Sequence, residues 1–119
     1  MSNAPFPLRG EIWSVRLDPS LGAEMKKTRP AIVISSDQIG KLPLKLAVPI
    51  TAWQNSFADN LWHVQIVPDK QNGLLKPSSA DVLQIRCVDV LRFAFKIGTV
   101  SPKVMAEITA AIAAVVEFE

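Results

Sequence analysis

The side chains with the clearest chemical potential lie in residues 22–30, where Glu24, Lys26, Lys27 and Arg29 fall between two apolar runs at 12–17 and 31–34. Pro30 follows Arg29, which confines the Arg29 backbone to the extended region and gives its side chain a defined exit from the loop. A guanidinium is always charged and presents a rigid fork of donors that matches a phosphate, so it can stabilise charge developing on a phosphoryl group. Thr51 ends a long alternating stretch, and its hydroxyl can donate to a phosphate oxygen; threonine is equally at home as an ordinary strand residue. Both readings of Thr51 stand on the local sequence.

Other chemistries are thinly supplied. The chain has one histidine, His63, and one cysteine, Cys87. Metal cages and histidine-based catalysis are therefore poorly supported. No glycine-rich phosphate loop and no nucleophile-elbow pattern occurs. His63 lies in an alternating run and reads as a structural, hydrogen-bonded strand residue, while Cys87 reads as a small buried thiol.

The elements that must position Arg29 and Thr51 follow from periodicity. In residues 12–17, Trp13, Val15 and Leu17 share one strand face; residues 31–34 form a continuous apolar run, the pattern of a strand buried on both faces. From Leu42, the set Leu42, Leu44, Leu46, Val48 and Ile50 alternates against Lys41, Pro43 and Lys45. Pro43 and Pro49 lack amide donors and predict an edge position or a bend for that strand. Residues 62–67 form a further strand, residues 68–73 a hairpin-like turn, residues 81–90 another strand and residues 96–100 a last short one. Ser101 and Pro102 open a helix as cap and first residue, and Val104, Ile108, Ile112 and Val115 recur along it at helical spacing. Successive strands without intervening helices predict a mainly β, antiparallel barrel or curled sheet closed by a C-terminal helix.

Length and composition fit that picture. At 119 residues with 49% hydrophobic content the chain reads as a single domain over 1–119 with a sizeable core. Net charge is +2, and the first 60 residues carry seven cations against five acids, so the basic excess lies in the half that holds the loop. Such a local patch suits a phosphate-bearing partner as well as a plain solvated surface. There is no secretory signal and no membrane-spanning run, which makes the cytoplasm the expected compartment.

Taken in order, several pieces resemble the MazF/PemK family of toxin endoribonucleases over nearly the whole chain. They are residues 9–13, Asp18-Pro19 with Gly22-Ala23-Glu24, residues 28–35, residues 48–51, residues 84–89, Arg92, and residues 97–100 before the helix. The resemblance implies an SH3-like barrel with a C-terminal helix. It also implies a homodimer that cleaves single-stranded RNA without metal or other cofactor, leaving 2′,3′-cyclic phosphate and 5′-hydroxyl ends, and that is neutralised by a cognate antitoxin. Arg29 and Thr51, 22 positions apart, match the family's catalytic pair. The segment carrying Glu24, Lys26 and Lys27 looks like the loop that closes over RNA. Trp53 and Phe57 could stack on splayed bases, or belong to the core. Several members carry an acid just before the glutamine matched by Gln84, where this chain has Leu83. Asp81, two positions earlier and on the same strand face, is the candidate replacement, and Gln84 a further substrate contact. Two other readings share the architecture: a CcdB-like toxin that binds DNA gyrase without chemistry, and an inactive RNA-binding relative.

Overall fold

Among the described residues, alternation resolves into seven strands and one α-helix: β1 (Glu11–Arg16), β2 (Thr28–Val33), β3 (Leu44–Ala52), β4 (His63–Ile66), β5 (Ser78–Asp81), β6 (Arg86–Asp89), β7 (Phe93–Thr99) and α1 (Pro102–Val115). The structure, a computed structural model, describes residues 6–19, 21–25, 27–39 and 41–118. All strand pairs are antiparallel, in the order β4-β5-β3-β2-β1-β7, with β6 also paired to β3.

Because β1 and β2 are covered on both sides, their side chains feed two apolar clusters. Ile12, Ile32 and Ile34 join Val48, Ile50, Val64, Ile66 and Ile108 of α1 in the larger one. Val15, Leu17, Ala31 and Val33 turn to the opposite side with Ala47, Val88 and Phe93, and Trp13 meets the Phe93 ring edge-on at 6.0 Å. The two-sided burial read from residues 31–34 is thus observed. Ser101 caps α1 by accepting from the Val104 amide at 3.2 Å, and Ile108 and Ala111 are the helix's buried contacts with the sheet.

β3 departs from its expected place. It is central, pairing with β6 over 44–47, with β2 over 47–49 and with β5 over 50–52. Amides alternate sides along a strand, and Leu46 faces the β2 side, its carbonyl accepting from the Ile34 amide and its amide donating to Ser35 Oγ. The missing donor of Pro49 therefore faces the gap between the β6 and β5 pairings, where no ladder bond is lost. The alternation itself is correct, but its burial is not uniform. Val48 and Ile50 are core, whereas Leu44 and Leu46, on the same face, are 44% and 41% exposed, and Lys45 is buried with its ammonium 4.7 Å from the Phe6 ring centre. That face runs past the part covered by α1 and emerges into solvent.

Three smaller expectations also change. Residues 81–90 are not one strand: a 3-10 turn at Val82–Gln84 separates β5 from β6. Leu83 consequently leaves the strand and is exposed, so it does not share a strand face with Asp81. Cys87 is exposed rather than buried, because it pairs with Leu46 on the uncovered face.

Candidate active site

The ladder between β2 and β3 ends at the pair Ala31–Pro49. Arg29 and Thr51 each lie two residues beyond that pair, so the same register sets them level and on one side. There the strands part. Beside them lies a cavity of about 420 Å3 lined by Thr28, Arg29, Pro30, Ile50, Thr51 and Ala52 of β2 and β3, by residues 73–76, and by Ser78 of β5 and Ile97 of β7. Arg29 is half-buried in β2, opposite Val15, and Thr51 is held in β3 opposite Ser79. The cavity lining holds two cations and several hydroxyls but no carboxylate, a composition that suits an anion with an apolar neighbour.

The contribution of residues 73–76 to the cavity was not visible as such in the sequence, although the turn leading into them was. Asn72 is 1% exposed; its Oδ1 accepts from the Asp69 and Leu74 amides at 3.1 and 3.0 Å, and its Nδ2 donates to the Val67 carbonyl at 2.9 Å. Asp69 Oδ1 accepts in turn from the Gln71 and Asn72 amides. The turn presses on β7 so closely that a Cβ on Gly98 would lie 2.4 Å from Asn72 backbone atoms.

The remaining predicted residues lie elsewhere. Gln84 is engaged with the loop itself: its Oε1 accepts from the Met25 amide and its Nε2 donates to the Ala23 carbonyl, both at 3.3 Å. Glu24 closes its own turn, its Oε1 accepting from the Leu21 amide at 2.7 Å. Lys27 is exposed at positive φ, its carbonyl accepting from the Leu17 amide at 2.9 Å; Lys26 lies outside the described residues. At the root of this loop Arg86 donates to the Leu17 carbonyl and Arg92 to those of Arg16 and Asp18.

Trp53, Phe57 and Asp81 gather around His63 on the β4–β5 side. Phe57 stacks on the imidazole with centroids 3.6 Å apart, Trp53 meets Phe57 edge-on at 5.7 Å, and His63 Nδ1 is 2.8 Å from Ser79 Oγ. The structural role expected of His63 is observed. Both aromatics are half-buried, leaving part of each open to solvent. Asp81, opposite His63 in the β4–β5 register, is 9% exposed with an unpartnered Oδ1. Burial holds its carboxyl above the usual 3.8, against the pull of His63 and of the Leu83 and Gln84 amides. Among the described residues no three His, Cys, Asp or Glu side chains converge in a way that could hold a metal, and no helix is long and apolar enough to cross a membrane.

A small antiparallel sheet with one terminal helix and an arginine–threonine cavity beside parting strands defines a class, and the comparisons name it. Residues 8–116 match the family described as PemK-like, MazF-like toxin of type II toxin-antitoxin system, and the chain belongs to that family. It is 32% identical over 110 residues to endoribonuclease MazF9 of Mycobacterium tuberculosis, covering 87% of this chain and 91% of that protein. Among solved structures it is similar to MazF from Deinococcus radiodurans, with a TM-score of 0.78 at 21% identity over 94% of this chain and 97% of that one. An endoribonuclease in complex with its cognate antitoxin from a mycobacterial species superposes with a TM-score of 0.74 at 18% identity, over 96% and 98% of the two chains. The expected barrel-like fold with its C-terminal helix is the fold of these relatives.

Proposed function

We propose that this chain is an endoribonuclease toxin that cleaves single-stranded RNA at the cavity beside β2 and β3. The observation that carries the reading is the shared register of Arg29 and Thr51, which brings to one cavity the two residues matched to the family's catalytic pair. RNA carries its own nucleophile. The 2′-oxygen passes its proton to solvent water and attacks the adjacent phosphorus while the bond to the 5′-oxygen breaks; the departing oxygen takes up a proton, replenished from solvent, leaving a 2′,3′-cyclic phosphate and a 5′-hydroxyl. Arg29 stabilises the charge that builds on the phosphorane and is the group poised to protonate the leaving oxygen. A charged guanidinium carries donors and no acceptor, which argues against a base role. Thr51 donates to a nonbridging oxygen. Trp53 and Phe57 offer ring surface to unstacked bases, and Lys26 and Lys27, which precede Arg29 in the sequence, add positive charge to its loop.

The whole domain, 1–119, acts in this reading as a homodimer in the cytoplasm, checked by an antitoxin of the kind borne by the mycobacterial relative. The uncovered β3 face supports the dimer: Leu44 and Leu46 continue the face whose other half, Val48 and Ile50, is core. A second copy would cover it. Ala110, Ala111, Ala113 and Ala114 of α1, small enough to admit a close neighbour, suggest a second surface less well, since Ala111 is spent on the chain's own core.

The deciding experiment incubates the purified chain with a mixed RNA pool in chelator and maps the ends. Cyclic phosphate and 5′-hydroxyl ends are expected, with a substrate lacking the scissile 2′-hydroxyl left intact. Cleavage that disappears in chelator and returns with Mg²⁺ would overturn the metal-independent route.

A further inference from the structure

We propose that Lys76 is a second phosphate-binding residue of the cavity, gripping an RNA backbone phosphate other than the one Arg29 stabilises. The inference rests on the RNA-cleaving reading and adds a residue to it.

Three observations converge on this lysine. Lys76 and Arg29 are the two cations of the lining, contributed by separate segments of the chain, and the lining holds no carboxylate. Lys76 has no carboxylate partner among the described residues, whereas Lys96, for comparison, pairs with Glu11 at 3.0 Å. Its backbone is also unusually well fixed for an exposed position. The Lys76 carbonyl accepts from Ser78 Oγ at 2.9 Å, the next carbonyl, that of Pro77, accepts from the Trp53 amide at 3.0 Å, and the turn behind is locked by buried Asn72. A point charge on a flexible stem binds phosphate without demanding one geometry, so a fixed root and a free ammonium suit a chain phosphate away from the reacting bond. Leu75, 99% exposed beside it, adds apolar surface at the same rim for the attached base or ribose.

The test is a salt series. Steady-state cleavage of a short single-stranded RNA, and equilibrium binding of its uncleavable 2′-deoxy counterpart, are measured from low to high salt. The wild type is compared with Lys76→Ala, Lys76→Arg and Lys103→Ala, the last an exposed helix lysine outside the cavity. Removing one single-strand phosphate contact should lower the log–log salt slope by about 0.7. Lys76→Ala is expected to show that loss in both assays and a raised KM, with kcat within about twofold of wild type. Lys76→Arg should restore the slope and Lys103→Ala should not change it. A Lys76→Ala slope equal to wild type, or a collapse of kcat at unchanged KM, overturns the proposal. If no variant cleaves, wild type included, the nuclease reading fails by itself, while the binding slopes still decide Lys76.

Discussion

The two flanks of the site are held by different kinds of contact. Behind Lys76, the turn at 69–74 is fixed by a buried amide that satisfies three backbone groups and by close contact with β7, Gly73 of the turn against Ile97 and Gly98 of β7 against Asn72. The loop leading into Arg29 is instead clasped from outside, by Gln84 at 3.3 Å to two of its backbone groups and by Arg86 and Arg92 at its root. A buried donor left unpaired costs far more than a surface bond exchanged for water, so the first flank is rigid and the second can yield. A site that must admit a polymer and then hold it tightly gains from one fixed and one adjustable side.

Breaking the chemistry while leaving both flanks intact should give the largest effect. Arg29→Ala is expected to lower kcat/KM by about two orders of magnitude or more, the usual result of losing a charge-stabilising donor, with the thermal transition close to wild type. Arg29→Lys should recover little, because it lacks the fork. Thr51→Val, nearly isosteric, should cost less than Arg29→Ala in the same assay.

The flanks come next. Asn72→Ala removes a side chain that meets three backbone partners and should destabilise the fold by about 1–3 kcal/mol, read by chemical denaturation. Gln84→Ala should change stability by less than about 0.5 kcal/mol yet alter KM, because the loop is released. Equal losses of stability in the two variants would abolish the contrast between the flanks.

The smallest effect concerns pH. Asp81 has its folded-state pKa raised, so between 3.8 and that higher value the folded state holds more protons than the unfolded one. Stability should therefore fall as pH rises through this window, and the penalty is absent below 3.8 and complete above the raised value. Glu11, whose carboxyl is held below its usual 4.5, adds an opposite slope at the low end of this window, so the effect is read as the difference between wild type and Asp81→Asn, which should fall as pH rises. A difference that rises through the same window would contradict the burial argument.

Local patterns made the strands, the helix cap and the buried β2 legible, because alternation and capping are properties of a few neighbouring residues. Arg29 stood out by type and by the proline that follows it, whereas Thr51 was singled out by the family resemblance, since its local sequence reads as readily as an ordinary strand end. What was hidden depends on which strand meets which: that Pro49 tolerates a central place, that Leu44 and Leu46 face outward while Lys45 turns in, and that Lys76 lines the same cavity as Arg29. Leu83 misled for a local reason, since the 3-10 turn at Val82–Gln84 breaks the two-residue period on which its pairing with Asp81 was argued.

The outward-facing thiol of Cys87 gives this molecule a built-in reporter. It lies in register with Leu46 on the face where a second copy would seat. Being the chain's single sulfhydryl, it allows a maleimide dye to label one known spot without mutation. In dilute solution the dye should couple quickly; as protein concentration rises, the coupling rate should drop along the association curve, turning a reactive atom into a ruler of self-assembly.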